Sequence, residues 1–158
     1  DIWDTDDYTP LVDWKPCIGY EPKGEYDMFV ANYKLPYHTF SWSLNNPWLK
    51  EIGDNLPEAY GIQINSATAK KKGIKDGDQI TIETTNGIKR IGRAVVTGMI
   101  HPEVLGIAGT FGKRALAEPI AKGVGVHWNA MYSLNDFSVL DKVTSSIDQC
   151  VRVKVYKE

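Results

Sequence analysis

Apolar and polar positions alternate most densely over residues 61–96, GIQINSATAKKKGIKDGDQITIETTNGIKRIGRAVV. Ile62 and Ile64 alternate with polar neighbours, the pattern of a strand with one buried face. Asn65 follows with a side-chain oxygen suited to the free amides of a helix start, and Ala67, Ala69 and the lysines behind it are good helix formers. Gly73 stands where a helix most easily ends in a left-handed residue. Lys75, Asp76, Gly77 and Asp78 predict a turn. Residues 79–85 alternate again, with Ile80 and Ile82 on one face. Asn86-Gly87 predicts a two-residue type I′ hairpin turn, and residues 88–96 return as the partner strand. The expected unit is strand, short helix, tight turn and long hairpin.

The flanks are less regular. Residues 27–33, DMFVANY, predict a first strand with Met28, Val30 or Phe29 facing inward. Residues 34–46 form a polar-aromatic loop. Pro47 suits the first position of a helix capped by Asn46, with Trp48, Leu49 and Ile52 as its apolar face, Gly53 as its end and a loop over 54–59. Residues 97–102 predict a turn and 104–108 a short apolar strand. Residues 109–125 are irregular and glycine-bearing, with a helical turn over 114–118, and 123–129 lead into another loop. CVRVKVY, 150–156, is the last strand. Residues 1–26 differ from the rest. Tyr8-Thr9-Pro10, Trp14-Lys15-Pro16 and Tyr20-Glu21-Pro22 repeat an aromatic-x-Pro unit, a density of proline that opposes helix and central strand. They predict an extended connector arm, 1–26, ahead of a domain over 27–158; its aromatic side chains call for a surface, on this domain or on another.

Composition narrows the function classes. A chain of 158 residues with 42% hydrophobic content has room for one domain with a core. A net charge of −2 gives no long-range reason to expect nucleic acid or an anionic membrane, and no apolar run approaches the length of a bilayer span. No signal peptide is recognised, and a start at Asp1 fits a fragment or a processed chain, so a cytoplasmic or a periplasmic setting stays open. Cys17 and Cys150 make no CxxC, which excludes an iron–sulfur or zinc site built from these thiolates alone. They are expected as two unpaired thiols, with a disulfide as the alternative. Lys70, Lys71, Lys72 and Lys75 are expected as a solvated helix face, His101 as a turn residue, and Asp76 and Asp78 as turn rather than metal residues. No GxSxG, P-loop or HExxH occurs, and no residue is assigned a catalytic or metal-ligating role.

Three stretches carry candidate chemistry. Asn32, Tyr33, Lys34, Tyr37, His38 and Thr39 lie at the end of the first strand and just beyond it, where loops on a rigid scaffold commonly carry function. By residue type alone this reads as a polar surface loop with His38 satisfied by its neighbours. Gly125 to Asn129 is the second, since glycines let backbone approach a ligand and Asn129 can both donate and accept. Gly109-Thr110-Phe111-Gly112 is the third and weaker one, with Asp148 and Gln149 ahead of the last strand as further polar residues. The hairpin turn is expected to be structural and remote from these.

INSATAKKKGIKDGDQITIETTNG, with NNPWLKEI upstream, resembles the C-terminal domain of the molybdopterin-dinucleotide oxidoreductases of the dimethyl sulfoxide reductase superfamily, over about residues 28–156. The resemblance implies a mostly β fold with short α-helices, a six-stranded double-psi β-barrel of the aspartate decarboxylase-like kind. It implies a cofactor-binding domain that closes over a bis-molybdopterin guanine dinucleotide and tunes its molybdenum or tungsten. Metal ligands and an iron–sulfur cluster would come from elsewhere in a parent chain, and the domain alone is not expected to be active. In that family a loop of T-Y-K or T-G-R form, followed by a histidine and a hydroxyl residue, contacts the pyranopterin. Asn32, Tyr33, Lys34, His38 and Thr39 match it, with Asn32 where threonine or serine is common, and Asn129 matches a family asparagine. A pterin edge needs neutral donors and acceptors, and Lys34 would suit a phosphate or ring carbonyl. The implied partners are other domains of the same chain and an iron–sulfur electron-transfer subunit, without nucleic acid or membrane contact. The NNPWLKEI motif is most similar to the branch of thiosulfate, polysulfide and arsenate reductases and acyl-CoA-oxidising relatives. Two alternatives stay open: a separate small barrel subunit, as in formylmethanofuran dehydrogenase, and a protein- or sugar-binding double-psi barrel, against which the YHTF loop and Asn129 argue.

Overall fold

A computed structural model describes residues 8–11, 13–17, 19–133, 140–141, 143–147 and 150–157. Six strands, β1 (Met28–Tyr33), β2 (Ile62–Asn65), β3 (Gln79–Thr84), β4 (Lys89–Thr97), β5 (Val104–Ala108) and β6 (Arg152–Lys157), close into a barrel in the order β1-β5-β2-β4-β3-β6. Two pairs, β1 with β5 and β2 with β4, run parallel and the other four run antiparallel. This is the double-psi barrel that the sequence implied. Short helices α1 (Pro47–Asp54), α2 (Pro57–Tyr60) and α3 (Ser66–Lys71) and one 3-10 turn (Trp128–Met131) complete the described elements.

The period-2 alternation becomes the core. Ile62, Ile64, Ile80, Ile82, Leu105, Ile107 and Val153 are sealed from solvent, and Met28 and Val30 join them from β1. Phe29 faces outward, under the Arg152 guanidinium, 3.4 Å from its ring centroid. Trp128 and Met131 belong to the same core and pack the 3-10 turn onto it.

The local signals of the 61–96 unit act as their chemistry requires. The Asn65 Oδ1 accepts the Ala67 amide (2.9 Å), a cap of about 1 kcal/mol. Its Nδ2 donates to Ile100 O (2.7 Å), so one side chain ties the helix start to the turn before β5. Helix α3 ends with Gly73 at φ +69°, where Ile74 N–H reaches Ala69 O and Gly73 N–H reaches Lys70 O. Asp78 accepts the Lys75 amide and Asp76 the Val96 amide, so both carboxylates close the turn. Lys72 pairs with Asp27 at 2.9 Å, and His101 accepts the Glu103 amide within its turn.

Several expectations are corrected. The β3–β4 turn is not type I′. Thr84 O accepts from Gly87, Thr84 N–H donates to Ile88 O, and Gly87 has φ +76° while Asn86 is not left-handed. That is a three-residue loop, a turn followed by a bulge glycine. Its position is also corrected: it opens on the same rim as the ends of β1 and β5. Helix α1 runs one residue beyond Gly53, which is buried because the Tyr60 ring lies on it. Its supposed apolar face is turned outward, Trp48 being 76% and Ile52 46% exposed. Residues 54–59 contain the start of α2, and 114–118 hold a turn, with Glu118 N–H on Ala115 O, in place of a helical one.

The two cysteines pair. Cys17 and Cys150 form a disulfide, with Cα atoms 6.2 Å apart. The reason lies in Arg152, which is buried and donates to the carbonyls of Gly19 (2.9 Å), Tyr20 (2.5 Å) and Asp27 (3.1 Å). These bonds seat the end of the arm at the start of β6 and bring the thiols together. Tyr26 and Glu25 continue the contact through Glu83 and Lys154, whereas Tyr8, Leu11 and Trp14 stay exposed.

Gly87→Val should cost about 1–3 kcal/mol, because a β-branched residue is strained at positive φ. Nothing lies within 4 Å of an added Cβ there, so the penalty is one of backbone alone. Urea unfolding should therefore show Gly87→Asn, which tolerates this region, close to the parent and Gly87→Val well below it.

Candidate functional site at the barrel rim

The register sets the site. Parallel pairing puts Tyr33 beside Ala108, and the antiparallel β2–β5 pair puts Ile62 beside Ile107. The ends of β1 and β5 and the start of β2 therefore share one rim, and the loops 34–46 and 109–127 leave it together. Gly109 N–H donates to Tyr33 O at 2.7 Å. The Asn32 side chain lies across Gly109, where any Cβ would collide with it. A second small core of Leu35, Leu44, Ala59, Ala108, Phe111 and Ala121 sits beneath the two loops. Ile120 N–H on Asn45 Oδ1 (2.9 Å) ties one loop to the other.

His38 occupies the notch between them, with Lys34, Phe40, Gly109, Thr110 and Phe111. Its Nδ1 lies 3.0 Å from the Ser43 hydroxyl, which also accepts the Thr39 amide at 2.9 Å. Its ring meets Phe111 edge-on, with centroids 5.3 Å apart. The Nε2 is buried and has no hydrogen-bond partner among the described residues. Burial lowers the proton affinity of this imidazole below its ordinary value, so it stands neutral at pH 7. Phe40 (φ +47°) and Thr110 (φ +79°), both in the notch, are two of three left-handed non-glycine residues among those described. Strain of about 1–3 kcal/mol at such residues is typical of ligand-holding segments.

The other sequence candidates divide. Lys34 extends over the Phe40 ring, 3.8 Å from its centroid, and remains exposed. Thr39 is exposed. The Tyr33 hydroxyl is committed within the chain, donating to Glu58 O and accepting from Gln63 Nε2, both at 2.7 Å. Tyr37 Oη, like His38 Nε2, is buried without a partner among the described residues. Burial raises the pKa of Tyr33 and Tyr37, and pushes that of Tyr60 up to about 12 with help from Asp54 and Tyr37. Asn129 is exposed on the 3-10 turn at the same rim, whose Ala130 carbonyl accepts from Arg90 Nη2 at 3.1 Å. Phe111 links the two regions: it touches His38 on one side, and an added Cβ at Gly125 would strike it on the other. Asp148 and Gln149 lie outside the described residues.

A second, larger cleft of ≈ 500 Å³ opens between the start of β4 and the 112–127 loop, lined by Lys89, Arg90, Arg114 and His127 among others. Burial, then the charges of Arg90 and Lys113, hold His127 below the usual imidazole range. Sequence reasoning missed Ser43 and Arg90. Ser43 is one hydroxyl in a polar loop, and Arg90 carries no signal beyond a basic pair at a strand start. Among the described residues, no three His, Cys, Asp or Glu side chains gather as a metal site.

A closed barrel with two loops fixed over one rim, presenting neutral and unpartnered polar groups, is a ligand-binding domain. The chain belongs to the molybdopterin dinucleotide binding domain family, whose model matches residues 29–145. It is 34% identical over 106 residues to the thiosulfate reductase molybdopterin-containing subunit PhsA of Salmonella typhimurium, an alignment covering 66% of this chain and 13% of that protein. Its fold is similar to that of acetylene hydratase from Pelobacter acetylenicus, with a TM-score of 0.65 and 18% identity over 85% of this chain and 19% of that one. The chain thus spans less than a fifth of either relative.

The two lowered histidines fix a pH dependence. Both folded-state values lie below the ordinary 6.5, so the unfolded chain takes up protons first as pH falls. Stability should be full above that value, fall as pH drops through it, and level off below the folded values. Urea midpoints between pH 7.5 and 5.5 should decline, and a His38→Gln/His127→Gln double variant should flatten that decline.

Proposed function

We propose that this chain closes over the pterin end of a molybdopterin dinucleotide cofactor within a larger oxidoreductase catalytic subunit. The observation that carries the reading is the buried, partnerless Nε2 of His38 on the rim of a barrel of this family. A pterin edge is an array of amide and amine groups; Asn32, His38 and Thr39 offer it neutral donors and acceptors, and Lys34 a charged donor suited to a ring carbonyl or phosphate. Asn32 from the end of β1 and His38 from the loop after it would hold it, with Lys34 and Thr39 beside them and Asn129 from the 3-10 turn. Tyr33 acts as a positioning residue, its hydroxyl fixing the loop root to Glu58 and Gln63. When bound, such a group supplies a metal centre for electron or oxygen-atom transfer, and the protein supplies orientation and hydrogen bonding. In this reading the cofactor is a pair of guanine dinucleotides with molybdenum or tungsten. An iron–sulfur cluster and the metal ligand come from other parts of a parent chain, and an electron-transfer subunit is the partner. Residues 1–26 serve as the connector that leads into the barrel. The name of the Salmonella relative makes an inorganic sulfur compound the substrate class to test first.

In the parent enzyme, His38→Ala and Asn129→Ala should each remove a hydrogen bond worth about 0.5–1.5 kcal/mol, weakening cofactor retention roughly 2- to 10-fold. Pterin content after gel filtration and the metal midpoint potential are the readouts, with circular dichroism to check the fold. Unchanged content and potential in both variants would contradict the reading.

A further inference from the structure

The end of the arm is held at the start of β6 in two ways that grip different parts of the chain. The buried Arg152 guanidinium clips residues 19–27 through the carbonyls of Gly19, Tyr20 and Asp27, and stacks on the Phe29 ring. That clip needs no covalent bond. The Cys17–Cys150 disulfide instead joins the arm ahead of Gly19 to the segment that enters β6. This segment carries a turn in which Leu140 bridges Ile147 and Asp141 N–H reaches Ser146 O at 2.8 Å. The arm runs close to the turn: hydrogen bonds from Thr144 and Val143, and then the charge of Lys15, hold the Asp141 carboxyl below its ordinary range. Further out, Tyr8, Leu11 and Trp14 are exposed. Both cysteines are only half-buried, so a reductant can reach the sulfurs. Lys15 and Arg152 each stand two positions from a cysteine, and positive charge favours departing thiolates. Gly19 lies flush on the Cys150 carbonyl, where any Cβ would collide. The clip and this close fit keep the two thiols side by side after reduction, so reclosure is an intramolecular step at high effective concentration.

We propose that Cys17–Cys150 is a reversible redox latch on the arm, opened by thiol reductants. A reductant thiolate attacks one sulfur and breaks the S–S bond, and a second reductant thiolate resolves the mixed disulfide. The reductant leaves as a disulfide, and the chain keeps two electrons and two protons as a pair of thiols. Closed, the latch ties the arm ahead of Gly19 to the segment entering β6. Open, it frees both, while Arg152 still holds residues 19–27 and the barrel is unchanged. That the freed arm is a connector to a preceding domain rests on the function proposed above; the latch itself does not.

Equilibration of the native 158-residue chain in glutathione buffers of graded redox poise, followed by thiol labelling and mass spectrometry, tests the latch. A reversible two-thiol transition is expected while circular dichroism shows the barrel intact. Hydrogen exchange of the reduced chain should show lost protection at the Asp141 and Ser145 amides, which are bonded within the turn. The Tyr26 amide, on Lys23 O inside the clipped stretch, should keep its protection. Arg152→Gln should shift the equilibrium about tenfold or more toward the thiols, as loss of charged hydrogen bonds does. Gly19→Ala, which leaves the barrel core untouched, should shift it the same way and serves if Arg152→Gln does not fold. No cofactor enters these measurements, so their outcome is separate from that of the pterin reading. Reduction only after the barrel unfolds would make the bond a plain structural cross-link and overturn the proposal. Unchanged exchange at Asp141 and Ser145 after reduction would overturn it too.

Discussion

The rest of the structure depends on the parallel pairing of β1 with β5. A parallel ladder carries both chains to the same rim, and no tight turn can make that connection. The bond from Gly109 N–H to Tyr33 O extends the pairing one step past the strands, so the loops start in contact. Had the pair been antiparallel, a five-residue ladder at about 3.3 Å per residue would put the loop roots roughly 15 Å apart. His38 and Thr110 could not then share a notch.

Holding two long loops above a barrel needs more than a common origin. The second core supplies it, with Phe111 between His38, Tyr60 and Gly125 of the return segment. Packing fixes His38 Nε2 and Tyr37 Oη in place without a hydrogen-bond partner among the described residues, which costs free energy. Tyr33 shows the contrast: equally placed at a strand end, it is fully bonded to its own chain and serves as support.

What the sequence revealed was local. Alternation in β2, β3 and β5, the Asn65 cap, the Gly73 stop and the turn at Asp76–Asp78 all follow from residues within a few positions of one another. Lys34 and His38 could be placed on one loop, and Asn32 at the strand end that leads into it, because they are neighbours in sequence, and the resemblance added Asn129. The rest depends on distant contacts. Tyr33 is committed by Gln63, 30 positions on, and Arg90 is aimed by Ala130, 40 positions on. The cysteines meet across 133 positions because Arg152 gathers the arm's carbonyls. The apolar residues of α1 carry a helical pattern, yet the described residues leave Trp48 exposed. The hairpin misled for a subtler reason: Asn-Gly favours a two-residue turn, and the ladder closed one residue further out.

The closure of the barrel has a consequence for association. A closed sheet has no unpaired edge, so a neighbouring polypeptide cannot join it as a seventh strand. Whatever docks here must do so on side chains and loop backbone, and the longest loops lie on the rim that carries both clefts. Adding residues to those loops costs little chain entropy and leaves the ladder untouched. The same closed frame can therefore serve many different neighbours, with adaptation confined to its loops.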